Sequence, residues 1–90
     1  MTREELIEQL ADKEHASWSR WMAYVLRVCE PTDAGRAIIP AHLVSGWRRQ
    51  LATHYDSLSE QEKQYDRAEV AHILPIIEEY ARGRTTEDEQ

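Results

Sequence analysis

The chain has 90 residues, of which 41% are hydrophobic and 31% charged, and it contains only 3 glycines. This length predicts a single domain, and the abundance of helix-favouring residues argues against a strand-rich fold. The net charge of −6 makes nucleic acid an unlikely main partner. The single cysteine excludes an internal disulfide. Because we find no secretory signal and no run near the roughly 20 apolar residues of a membrane span, we expect a cytoplasmic protein without membrane contact.

The first predicted element is a long helix that begins after Thr2 and runs to about Cys29. Thr2 and Glu5 have the spacing of a capping box, and no proline or glycine interrupts the segment that follows. We expect its apolar stripe, which has helical periodicity, to face the core. The stripe consists of Ile7, Ala11, Glu14, Trp18, Trp21, Met22 and Val25. The side away from the tryptophans should be solvated and carries Lys13, Arg20 and Arg27.

Residues 30–39 are predicted to form a connection with a turn, and no stretch of the chain shows the alternation typical of a strand. Ile38 and Ile39 are expected to anchor the end of this connection to the core. Pro40 suits the first turn of a second helix, which we place at about 40–52. The apolar face of this helix carries Leu43, Val44, Trp47 and Leu51.

A second capping box, Ser59 with Glu62, predicts the start of a third helix that runs to about Arg82. Pro75 lies inside the helical pattern and should kink the helix, and Gly83 is expected to cap its end. The apolar stripe of the third helix consists of Val70, Ile73, Leu74 and Ile77.

The predicted fold is therefore all-α: a small three-helix bundle with a long first helix and a Pro-kinked third helix. A single helical domain should span residues 1–83. Residues 84–90 are rich in carboxylates and predict a disordered acidic tail.

Both apolar stripes run into charged residues at one end. Glu14 lies in the first stripe, while Asp66, with Lys63 and Arg67 nearby, continues the third. Because buried charges cost free energy unless they are paired, these residues should pair with one another or line a cavity. Two interpretations stay open: a salt bridge network beside a tryptophan core, or a pocket whose aromatic rings stack on a flat ligand while cations meet a phosphate.

The sequence gives little support for catalysis or metal binding. Glu14 and His15 diverge by about 100° around a helix and have no evident nucleophile beside them. No Gly-rich loop is present to hold a phosphate. The four histidines lack the spacing of metal ligands: His15, His42, His54 and His72. We therefore predict no enzymatic activity, no metal and no cofactor.

One segment resembles the ryanodine-receptor repeat (RyR) domain: Tyr55-x-x-Leu58-x-x-x-Glu62-Lys63-x-x-Asp66-Arg67. The chain also resembles, over about residues 10–77, a group of small proteins common in bacteriophages and prophages. The shared positions are His15-x-x-Trp18-x-x-Trp21-Met22, Ile39-Pro40 and Trp47-x-Arg49-Gln50. The resemblance implies a compact helical module that binds an adenine-type ligand in an aromatic cleft. A phage protein of this kind would bind a nucleotide-derived defence signal as a sensor or sponge.

Three functional hypotheses follow. The first is a non-enzymatic binding module for a nucleotide-like small molecule, in which Glu14 and Asp66 orient the cations. Its expected ligand-binding residues are His15, Trp18, Trp21, Trp47, Tyr55, Lys63 and Arg67. The second is a protein–protein interaction adaptor, with homo-oligomerisation left open and the charged cluster purely structural. The third is a DNA-associated regulator that uses Arg48 and Arg49, which the net acidity disfavours.

Overall fold

A computed structural model describes residues 1–83 in full and residues 84–89 by their backbone. The fold is mainly helical, as predicted. The helices are α1 (Arg3–Val28), α2 (Ala41–Leu51) and α3 (Glu60–Glu89), and a single 3-10 turn (Tyr55–Ser57) precedes α3. The disordered acidic tail predicted at 84–90 lies outside the fully described residues.

Both predicted capping boxes are present, so the starts of α1 and α3 are confirmed. The Thr2 hydroxyl accepts a hydrogen bond from the Glu5 backbone N–H at 3.1 Å, and the Thr2 N–H donates to the Glu5 carboxylate at 3.4 Å. At α3, the Ser59 hydroxyl accepts from the Glu62 N–H at 3.2 Å, and the Ser59 N–H donates to the Glu62 carboxylate at 3.0 Å. Each box therefore satisfies two backbone donors that the helix leaves free.

The connection between α1 and α2 contains a small hairpin that the sequence did not predict. Its strands are β1 (Glu30–Pro31) and β2 (Ala37–Ile38), which pair antiparallel. The turn between them closes where the Thr32 backbone N–H donates to the Arg36 carbonyl at 3.2 Å. Strands of two residues are too short to show alternation, which explains why the pattern search found none.

The anchoring role expected for Ile38 and Ile39 is wrong, because both side chains are exposed. Leu51, predicted on the apolar face of α2, is likewise 88% exposed at the end of that helix. These side chains therefore do not anchor the connection or the end of α2 to a core.

α1 and α3 pack side by side in antiparallel orientation. Glu69 of α3 accepts a hydrogen bond from Arg20 at 2.6 Å, and the neighbouring Ser17 side chain helps to lower the pKa of the Glu69 carboxyl. At the other end of the pair, the Met1 nitrogen lies 3.9 Å from the position that a Cβ would take on Gly83. Residues early in α1 thus lie beside residues late in α3.

Gly83 does not cap α3, so that prediction is wrong. The helix continues through this residue. Among the described residues, the glycine with a positive φ is Gly35, at 74°. A glycine inside a helix costs only about 1 kcal/mol, which is too little to end the helix without a left-handed turn. Pro75 does lie inside α3, as predicted; the kink expected there stays a prediction.

The closed core of a three-helix bundle is missing from the described residues, since none of them is buried. The radius of gyration is 18.4 Å and the Cα atoms span 61 × 34 × 16 Å. A compact chain of this length has a radius of gyration near 12 Å. The predicted core stripe of α1 does not face α3, because α1 meets α3 along the side that carries Ser17 and Arg20.

Candidate functional site

An open cleft lies where α1, α2 and the start of α3 come together. Its volume is about 1140 Å³. Four aromatic side chains line it: Trp21, Tyr24, Trp47 and Tyr65. All three helices contribute residues to its walls, so the cleft depends on how α2 sits against the α1–α3 pair.

Two tryptophans form the contact between α1 and α2. The rings of Trp21 and Trp47 meet edge to face, with 5.3 Å between centroids and 61° between planes. Tyr24, one helical turn after Trp21, lies 5.5 Å from it. Edge-to-face pairs contribute about 0.5–1.5 kcal/mol beyond the area they bury. The structure thus brings together Trp21 and Trp47, two of the predicted ligand-binding residues.

The charges in the cleft are mostly paired across helices. Arg20 of α1 binds Glu69 of α3, and the guanidinium lowers the pKa of that carboxyl. Arg49 of α2 binds Glu62 of α3 at 2.7 Å. Arg27 instead lies over the ring of Tyr24, with 5.5 Å from its Cζ to the ring centroid.

Glu62 is the most strongly perturbed of the shifted carboxyl groups. Its pKa falls to about 2, first because of the hydrogen bond from Arg49 and then because of those from Ser59. The same carboxylate therefore closes the capping box of α3 and links α3 to α2. Its side chain is only 16% exposed.

Three other predicted ligand residues form a separate cluster outside the cleft lining. Arg67 forms an ion pair with Glu60, which raises the pKa of the guanidinium, and the Tyr55 hydroxyl adds to that rise. The Lys63 Nζ lies 5.5 Å from the centroid of the Tyr55 ring. These cations therefore have partners of their own and do not reach the tryptophan pair.

His15 and Trp18 form a third group, on α1. Their rings stack with 5.9 Å between centroids and 19° between planes. Trp18 is 54% exposed, and neither residue lines the cleft. Eight of the nine predicted site residues are thus distributed over three places, and the ninth, Glu14, belongs to none of them.

The expected pairing within the charged group is also absent from the described residues. None of the three ion pairs there joins two of the residues Glu14, Lys63, Asp66 and Arg67. Glu14 is exposed on α1, whereas Asp66 lines the cleft. The alternative expectation, that such a residue lines a cavity, fits Asp66.

Sequence reasoning missed most of the polar lining of the cleft. Arg20 and Arg27 are exposed, as predicted, but they line the cleft together with Trp21 and Trp47 instead of lying away from the tryptophans. The signal was present: Trp21, Tyr24 and Arg27 follow one another at intervals of three, which places them along one edge of a helix. Glu69 carried no such signal, because its role depends on the pairing of α1 with α3.

Comparison with known proteins finds no match to a family model, to a curated protein or to a solved structure. Within the described residues, no group of three or more His, Cys, Asp or Glu side chains is placed to hold a metal ion. No helix of the described chain combines the length and the apolar character needed to cross a membrane.

Proposed function

We propose that this chain is a protein-interaction module whose hydrophobic core is completed by another polypeptide. The observation that carries the proposal is that no described residue is buried, although large apolar side chains are present on all three helices. Apolar surface removed from water stabilises a structure by about 25 cal/mol per Å². A chain that leaves this surface exposed forgoes the main favourable contribution to its own folding.

The exposed area supports the same conclusion. The whole chain exposes 7459 Å², whereas a compact protein of 10.6 kDa exposes about 5500 Å². This excess of about 2000 Å² on one chain is larger than the roughly 800 Å² that each partner buries in a standard specific complex.

Urea unfolding of the purified chain, followed by circular dichroism, tests this proposal. A domain with a complete core gives a steep transition, with a slope of about 1–3 kcal/mol per molar urea. For the isolated chain at low micromolar concentration we expect a broad transition with a smaller slope, because little surface is exposed on unfolding. A steep transition for a chain shown to be monomeric in the same sample would refute the proposal.

A second candidate function is binding of a nucleotide-like small molecule in the cleft. The observation that favours it is the pair of indole rings, Trp21 and Trp47, beside Arg27, which none of the described ion pairs engages. An aromatic ring that stacks on a base contributes about 1–3 kcal/mol, and an arginine can meet a phosphate.

Thermal-shift measurements with nucleotides and cyclic oligonucleotides at millimolar concentration test this second function. Trp47→Leu should abolish a shift that arises in the cleft, whereas Trp18→Leu, a matched substitution outside it, should leave the shift intact. The reverse result would instead support ligand binding at the His15–Trp18 group. No shift with any ligand on folded protein would dismiss both sites.

A further inference from the structure

We infer that a second copy of this chain docks on one side of the α1–α3 pair, and this inference rests on the proposed interaction function. The docking side is called the apolar face. It comprises Ile7, Ala11 and Trp18 of α1 together with Val70, Leu74 and Ile77 of α3. The five larger side chains of this face are between 43% and 54% exposed.

On α1, the apolar face is offset from the line of contact with α3. Arg20, which binds Glu69, and the half-buried Ser17 mark that contact line. At about 100° per residue, Ile7 and Trp18 lie roughly a third of a turn further round the helix, in the direction of increasing residue number. They therefore cannot face α3.

A similar offset occurs on α3. Glu69, which contacts α1, and the half-buried Ile73 mark its contact line. Val70, Leu74 and Ile77 lie about a quarter-turn further round, again in the direction of increasing residue number. The two helices run in opposite directions. A rotation toward increasing residue number on each helix therefore brings both apolar stripes to the same side of the pair.

The stripes also match in level along the helix axes. Since Arg20 lies beside Glu69 and Met1 beside Gly83, Trp18 lies near the level of Val70 and Ile7 near that of Ile77. The six residues thus form one continuous surface rather than two separated rows.

The other side of the pair is polar. Glu8, Gln9 and Asp12 line a shallow groove there, next to Ile76. The α1–α3 pair thus has one apolar side and one polar side, like half of a four-helix bundle cut along its core.

The area argues for a second copy as the occupant. A symmetric pair buries the same patch on both chains, and each chain exposes about 2000 Å² more than a compact protein of its mass. Covering half of this excess on each copy buries about 2000 Å² in total, the area at which obligate homodimer interfaces begin, and such interfaces resemble a domain core. Docking two such faces also builds a four-helix bundle, an architecture that needs no further segment to close its core.

Sedimentation equilibrium of the unmodified chain is the first test, and we expect a particle of twice the 10.6 kDa chain mass at high micromolar concentration. Leu74→Glu should convert this particle to a monomer, because a charge placed in an apolar interface must be desolvated. Leu51→Glu is the matched control, since it adds the same charge at a side chain that is already 88% exposed; it should leave the dimer intact.

The possible outcomes separate the two proposals. A monomer at all concentrations with a broad urea transition overturns the second copy while the interaction module stands, its partner being a different polypeptide. A monomer with a steep urea transition overturns both the docking of a second copy and the interaction module. A dimer that persists in folded Leu74→Glu shows that the contact lies elsewhere and overturns the assignment of the apolar face as the dimer interface.

If Leu74→Glu does not fold, carbene footprinting of the unmodified chain is the deciding measurement. The protection of Trp18 must then rise with protein concentration, while that of Leu51 stays constant.

Discussion

Individual side chains join the helices of this protein mainly through charge. Glu62 is the clearest case, because it receives hydrogen bonds from Arg49 of α2 and from the backbone of Ser59. Exposed ion pairs contribute little by themselves. Glu62 differs from them because its partners fix it on three sides and only 16% of its side chain is exposed. The Glu62 carboxylate therefore links α2 to the start of α3 while it is ionised.

The depressed pKa of Glu62 predicts a loss of stability in acid. With a folded-state pKa of about 2, below its ordinary 4.5, Glu62 contributes stability above about pH 4.5, and this contribution is lost as the pH falls toward 2. Glu62→Gln keeps an amide that can serve in the capping box but removes the charge. The urea midpoint of this variant should therefore fall less between about pH 7 and about pH 3 than that of the unmodified chain.

Glu78→Gln, at an exposed position of the same helix, is the control for this experiment. It should follow the unmodified chain across the acid range. Equal declines for Glu62→Gln and the unmodified chain would contradict the assignment of Glu62 as the residue responsible.

At the level of elements, helices and their starts follow from local sequence, whereas their contacts do not. The capping boxes at Thr2 and Ser59 could be predicted because their partners lie three residues away. Which side of α1 meets α3 could not be predicted, since Ser17 and Arg20 contact Glu69, 49 residues beyond Arg20. The hydrophobic pattern identified an apolar stripe correctly but gave no information on what covers it.

Replacement of glycine by alanine should have opposite effects on stability at Gly46 and at Gly35. Gly46 lies inside α2, and a Cβ added there meets nothing within 4 Å. Gly46→Ala should therefore stabilise the chain by about 0.5–1 kcal/mol. Gly35 has a φ of 74° in the hairpin turn, so Gly35→Ala should destabilise it by about 1–2 kcal/mol.

Urea midpoints of the two alanine variants measure these changes under identical conditions. The opposite signs make the pair informative, because a general effect of alanine would shift both midpoints alike. A lower midpoint for Gly46→Ala would show that α2 is not helical at this position.

The whole molecule is a layer about one helix thick, with an extent of only 16 Å in its smallest dimension. Composition and periodicity predicted the helices and the connection between α1 and α2. They did not predict the missing core, because an apolar stripe has the same sequence pattern whether its own chain or another chain covers it. The aromatic and charged residues proposed as one site lie in three places for a related reason: their grouping assumed a closed bundle.

Hydrogen exchange should reveal this dependence on a partner at the level of the molecule. If a second copy covers the apolar face, amide protection in α1 and α3 should rise when the protein concentration is raised about a hundredfold from the low micromolar range. The hairpin at residues 30–38, which lies apart from this face, serves as the internal reference and should exchange equally at both concentrations. Identical protection of α1 at the two concentrations would argue against pairing through this face.

The exposed apolar face also bears on how much of this protein a cell retains. A chain that is not covered opens easily, and open chains are the ones that proteases degrade. If copies protect one another, slow synthesis leaves mostly short-lived single chains, whereas faster synthesis yields long-lived pairs. The steady-state amount of the protein would then rise more steeply than its rate of synthesis. This threshold in protein amount would arise from the fold itself, without a separate regulator.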